Sequence, residues 1–150
     1  MWTETDVRSH LNPGGWIEIA EVNFIAKCDD GTMPDDWPLL TLFQLINKAL
    51  RQSGKSPVDN ADDFEALVRN AGFTEVQTKK FKIPSGVWPK SQKLKDVGRF
   101  ALLAAETGYE AYALAVLTRL LGMPEEEVLD LCNKAKEAHL NRKVHAYWDL

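Results

Sequence analysis

The stretch Leu11-Asn12-Pro13-Gly14-Gly15-Trp16-Ile17-Glu18-Ile19-Ala20-Glu21-Val22-Asn23-Phe24-Ile25 decides the fold. Its first part is a turn, because proline fixes one backbone angle and the glycine pair permits a tight change of direction. From Trp16 to Ile25 the residues are largely β-branched or aromatic, with apolar positions on both faces, which predicts an interior strand with Trp16 in the core. Upstream, Asp6 to Leu11 reads as a short helix stopped by Pro13. Downstream, Cys28 to Asp36 has loop chemistry, and Pro38 then opens a helix whose Leu39, Leu42, Phe43, Ile46, Ala49 and Leu50 recur at three and four until Gly54 stops it.

Asn60 caps a second helix carrying Phe64, Leu67, Val68 and Ala71, closed by Gly72. Phe73 to Ile83 is extended but irregular, since Val76 falls on the face opposite Phe81 and Ile83 under strict alternation. Three helices follow. Ser91 caps the first, Gly108 separates it from Tyr109 to Leu121, and Gly122-Met123-Pro124-Glu125 leads into the third, with Val128, Leu131, Cys132 and Ala135 on one side. Val144 to Leu150 is extended again. The expectation is an α+β domain, residues 1–150, in which a small mixed sheet of the Trp16, Phe73 and Val144 strands packs under a predominantly helical cap.

The whole chain has 150 residues, 45% hydrophobic and 27% charged, which suits one globular domain. With 18 Lys and Arg against 22 Asp and Glu, it lacks the positive excess of a dedicated nucleic-acid binder. The longest nearly apolar run, Ala111 to Leu117, is far short of a membrane span. The polar opening Trp2-Thr3-Glu4-Thr5-Asp6 is not a secretory signal, so a reducing, cytoplasmic location is expected, with Cys28 and Cys132 as free thiols. Cys132, His139 and His145 lack zinc-ligand spacing, and no metal is expected.

The Leu11 to Ile19 segment resembles the LxPGGxxxxxE turn and fifth strand of class I S-adenosylmethionine-dependent methyltransferases. Asp29-Asp30-Gly31-Thr32, Ala71-Gly72-Phe73-Thr74-Glu75-Val76, Trp88-Pro89-Lys90, Leu94-Lys95-Asp96-Val97-Gly98-Arg99-Phe100 and His145-Ala146-Tyr147 are similar, in order and spacing, to the C-terminal half of a fungal methyltransferase-like family. That family includes a secondary-metabolism regulator of the velvet complex and enzymes of natural-product clusters. The resemblance implies a truncated class I methyltransferase-like fold. A nucleotide-type cofactor needs glycine where the backbone approaches it, yet none of the nine glycines forms a GxG, and only ten residues precede Leu11. The expectation is therefore a chain without a cofactor site. Read as a natural small protein, it hides the edge of its Trp16 strand by homodimerisation or by a helix from its first ten residues.

Candidate site residues follow. Trp88 stands in a Pro-Gly-rich loop, as a pocket wall or a loop anchor. His145 and Tyr147 share a strand face, so that an imidazole able to donate to a carbonyl or move a proton stands beside a phenol; the alternative is a structural histidine. Arg99 either clamps a carbonyl or carboxylate or makes a surface ion pair, and neighbouring Gly98 permits close approach of another element. Tyr109, Tyr112 and Phe100 line a pocket or simply pack. His10 and His139 lie in polar contexts and carry no assignment. The reading that follows is a cofactor-free cyclase or isomerase of fungal natural-product biosynthesis, including pericyclic [4+2] closure of a hydrophobic terpenoid or polyketide. His145, Tyr147 and Arg99 would be catalytic, and Trp88, Tyr109, Tyr112 and Phe100 would hold the substrate. The alternatives are the acceptor fragment or split partner of a methyltransferase, and a non-enzymatic interaction subunit.

Overall fold

The computed structural model describes residues 10–54 and 61–150, so the predicted first helix and the Asn60 cap lie outside the described residues. In order, the elements are β1 (Asn23–Lys27), α1 (Pro38–Gln52), α2 (Ala61–Asn70), β2 (Lys82–Pro84), α3 (Gln92–Leu121), α4 (Glu125–His139) and β3 (Tyr147–Asp149). The α+β class stands, but the sheet is antiparallel rather than mixed. Its order is β1-β3-β2, with β3 antiparallel to both neighbours.

All three strands are shorter than their extended sequence. β3 offers only three residues, so residues 16–22 find no ladder there, and Trp16 is 78% exposed instead of in the core. The Phe73 segment stays irregular through Glu75, whose φ of 54° is unusual for a residue with a side chain, and joins the sheet only at its end. There Phe81 and Leu150 exchange both backbone hydrogen bonds, at 2.8 and 2.9 Å.

α1 matches its reading. Pro38 fills the first turn, Gly54 turns left-handed just beyond the end, and Leu39, Leu42 and Ala49 are wholly buried. α3 departs from its reading: one helix of 30 residues runs through Gly108. One interior glycine costs about 1 kcal/mol, which the burial of Ala105, Tyr109, Ala113 and Leu117 along one side of the helix offsets. By length and composition alone α3 could cross a membrane, and 22% of its most apolar window is buried. Gly122 ends it in the left-handed conformation, and Pro124 leads into α4 with three glutamates in the first turn.

α1, α3 and α4 pack on one another, with β1 against α1 and β2 against α3. An aromatic chain ties the layers together. Phe24 of β1 stacks on Phe43 of α1 at 5.0 Å, and Phe43 meets Tyr109 of α3 and Trp148 of β3 edge-on at 5.8 and 6.5 Å. The close approach anticipated at Gly98 is made by the Gly86 backbone: a Cβ on Gly98 would stand 2.0 Å from the Gly86 oxygen.

Candidate functional site

Because β3 runs opposite to both neighbours, β1 and β2 point the same way and their carboxyl ends meet the amino end of β3 at one edge of the sheet. Three segments converge on it: Cys28 to Thr32 after β1, the Trp88 loop after β2, and His145 to Tyr147 entering β3.

Asp30 organises the first segment. One carboxylate oxygen accepts hydrogen bonds from the Thr32 amide at 3.1 Å, the Thr32 hydroxyl at 2.8 Å and the Cys28 thiol at 3.2 Å. This is the local side-chain-to-backbone bonding that aspartate favours in turns. The other oxygen accepts from His145 Nδ1 at 2.5 Å. The His145 bond above all, then the Thr32 and Cys28 bonds, hold the Asp30 carboxyl well below the usual carboxylate range. The His145 amide donates to Thr32 Oγ1 at 2.8 Å, and the Trp88 ring lies 5.0 Å from the imidazole while its indole N–H donates to the Ala146 carbonyl at 3.0 Å. The imidazole is thus fixed by a carboxylate and an aromatic face, and its Nε2 has no partner among the described residues. In the neutral imidazole, an Nδ1–H donating to the carboxylate leaves the lone pair on Nε2, the arrangement a general base requires.

A second polar group stands beside it. Tyr147 donates to Asp29 at 2.7 Å, and Lys82 bonds the other Asp29 oxygen at 2.5 Å with its ammonium 4.0 Å from the Tyr147 ring centroid. Lys82 first and Tyr147 second lower the Asp29 carboxyl, and Asp29 in turn raises Lys82. His145 and Tyr147 therefore do fall on one side of the chain, each held by one aspartate of the Asp29-Asp30 pair, while Ala146 and Trp148 enter the core. The two aspartates read as loop chemistry in the sequence; nothing in their spacing tells that they reach residues more than a hundred positions away.

The other candidates are placed elsewhere. Arg99 is exposed and pairs with Asp96 one turn away, Phe100 is 71% exposed, and Tyr112 is 61% exposed with its ring 6.2 Å from Phe24. Tyr109, only three residues from Tyr112, is buried, and its hydroxyl is 2.6 Å from Nδ1 of His139. His139 itself is 4% exposed, against the polar, solvated position expected for it. Its place was legible: Val128, Cys132, Ala135 and His139 lie on the same helical stripe, and all four are buried. Burial, opposed by the backbone of Ser85, lowers the imidazole to a pKa of about 4, and burial pushes the Tyr109 phenol far up, so both are neutral. A Tyr109 O–H donating to Nδ1 leaves the proton on Nε2.

Two cavities border these elements. A groove of about 790 Å³ runs between residues 11–21 and 72–79, with Trp16, Ile19, Phe64 and Val68 among its walls. A cavity of about 270 Å³ is lined by Gly86, Val87, Trp88, Leu102, His139, Leu140, Asn141 and Arg142. Of the seven candidates only Trp88 lines either one. None of the nine glycines of the sequence forms the GxG turn that brings backbone against a nucleotide-type cofactor.

No protein-family model matches the chain, and no solved structure matches it. Curated proteins do. The chain is 34% identical over 141 residues to a methyltransferase, pytC, of Aspergillus terreus, covering 94% of this chain and 43% of that protein. It is 32% identical over 140 residues to a probable methyltransferase, tdiE, of Emericella nidulans, covering 93% and 44%. It is 27% identical over 141 residues to the secondary metabolism regulator laeA of Aspergillus fumigatus, covering 94% and 38%. Over nearly its whole length the chain is thus similar to fungal methyltransferases and regulators of secondary metabolism, as its motifs imply, while spanning less than half the length of these relatives.

Proposed function

We propose that the chain is the acceptor-side half of a methyltransferase-like protein of fungal secondary metabolism, in which His145, backed by Asp30, takes the proton from a substrate hydroxyl. The observation that carries this reading is the His145 Nδ1 to Asp30 contact of 2.5 Å at the carboxyl edge of the sheet, with Nε2 left for substrate. Thr32 holds the His145 amide and Trp88 faces the ring, and the Asp29, Tyr147 and Lys82 group holds the loop beside it. The donor site belongs in this reading to a second half, in keeping with relatives more than twice as long. A cofactor-free cyclase would instead gather its aromatic residues around one cavity, and Tyr109, Tyr112 and Phe100 line neither.

The test replaces the matching 141 residues of the Aspergillus terreus methyltransferase with this chain. Titration with S-adenosylmethionine is expected to show binding to the chimera and none to the chain alone. In the chimera, His145→Gln should abolish formation of S-adenosylhomocysteine while leaving donor binding intact. Donor binding by the isolated chain, or unchanged turnover in His145→Gln, refutes the reading. Turnover of a polyene by the chain alone would return the cyclase.

A further inference from the structure

We infer that the groove of about 790 Å³ beside Trp16 is a slot for one β-strand, supplied as an extended segment of a partner protein with apolar side chains at every second position. The surface stands whether or not the methyl-transfer reading holds. Its shape follows from the sheet. β1 and β2 each pair with β3, which sets them about 9.6 Å apart, two strand spacings. Leu150 lines the groove at one end, and Asn12 to Gly15 line it at the other, where the Gly15 amide donates to the Asn12 carbonyl at 2.9 Å. Between these ends residues 16–21 lead into β1 and residues 76–79 lead towards β2, and the groove takes the place of the middle line.

The backbone of both walls is open to such a strand. Among the described residues, 16–21 and 77–79 make no backbone–backbone hydrogen bond. On the second wall, alternation gives the direction. Phe81 exchanges both bonds with Leu150, so Lys79 and Gln77, two and four residues back, present N–H and C=O to that same line. Val76, of the other parity, turns its carbonyl away to Arg69 Nη2 at 3.0 Å. The floor is α2: Phe64 and Val68, one turn apart, line the groove, and α2 makes at most marginal contact with any other helix or strand. A strand laid there gains backbone hydrogen bonds on both sides and buries alternate side chains on α2, which is strand addition with two edges in place of one. Each residue of a strand in a packed layer takes about 160 Å³, roughly 3.3 Å of rise by 4.8 Å of spacing by 10 Å of layer, so the groove holds about five residues. The described extended runs of this chain are already sheet or wall, so a second copy has none to give and the occupant is a different protein.

The probe is the peptide acetyl-Lys-Val-Thr-Val-Thr-Val-Lys-amide, titrated into the intact chain while backbone amide exchange is followed by NMR. It should bind saturably and slow exchange about tenfold or more at Gln77 and Lys79 and at alternate residues of 16–21. The same peptide N-methylated at its valines loses the donors along one edge and should not bind. Gln77→Pro, at an exposed position, removes one wall donor and should weaken the peptide about tenfold. Val68→Lys puts a charge in the floor and should abolish binding; the two variants lie on different elements, so one remains readable if the other does not fold. No saturable binding, protection confined to one wall, or unchanged affinity in both variants overturns the assignment. Wall protection that rises with protein concentration in the absence of peptide overturns it as well, by making a second copy the occupant.

Discussion

Replacing Gly98 by alanine puts two effects of opposite sign against each other. Within α3, alanine is favoured over glycine by about 1 kcal/mol. At this position, however, the new Cβ stands 2.0 Å from the Gly86 oxygen and 2.5 Å from its carbonyl carbon, where ordinary contact begins near 3.4 Å. Both colliding groups are backbone, so no side chain can rotate away, and the helix and the β2 to α3 loop must part by more than about 1 Å. Overpacking of this kind costs about 1–3 kcal/mol, occasionally more, so net destabilisation is expected despite the propensity gain. Gly108 of the same helix is the control. A Cβ there meets only the Tyr112 ring at 4.0 Å, so Gly108→Ala should stabilise by about 0.5–1 kcal/mol. Urea unfolding of both variants reads the difference as midpoints moving in opposite directions at constant slope. The loop that must give also carries Trp88, so the Trp88 indole N–H resonance should shift in Gly98→Ala alone. A midpoint for Gly98→Ala equal to or above that of Gly108→Ala would refute the reasoning.

Stability should fall as the solution is acidified below neutrality, because the His139 imidazole is held at a pKa of about 4 against 6.5 outside the fold. The unfolded chain then takes up the proton first, so the contribution is complete above pH 6.5, is lost between there and about 4, and amounts to about 3 kcal/mol; unfolding midpoints at pH 7 and 4.5 that differ as much in His139→Phe as in the parent would contradict it. In the chimera, Asp30→Asn should lower turnover by about a hundredfold or more by releasing the tautomer of His145, with donor affinity unchanged; a rate within twofold of the parent removes Asp30 from the site. Leu117→Ala, at a wholly buried position, should cost about 2–5 kcal/mol, whereas Phe100→Ala should stay within about 0.5 kcal/mol; comparable losses in chemical denaturation would mean that Phe100 is covered.

Much of this was legible where a residue's neighbours along the chain decide its conformation. Pro38 and Gly54 mark α1, Gly122 and Pro124 separate α3 from α4, and the two-residue step from His145 to Tyr147 puts both on one face. What escaped depends on partners far away. Trp16 has strand propensity, but β3 is too short to receive it. Gly108 looks like a break, yet the apolar surface buried along α3 outweighs one glycine. Asp29 and Asp30 look like turn residues, and they are, but their second oxygens reach Lys82 and His145. Tyr109 and Tyr112 share a sequence pattern while only Tyr109 meets a partner helix, through His139.

The placing of β3 between β1 and β2 sets the order of assembly. Of the three described strands, the one that comes last in sequence is the one both others need, and Lys27 must wait for Asp149, 122 residues further on, before its pair can form. A chain growing from the ribosome holds α1 to α4 while β1 and β2 still lack their common neighbour, so the helices can associate first and the sheet must close onto them afterwards. During that interval the segments that later form the carboxyl edge are present but apart, and His145 meets Asp30 only when the sheet closes. The contact between His145 and Asp30 therefore forms only once residues 145–149 have been made and β3 has joined its neighbours.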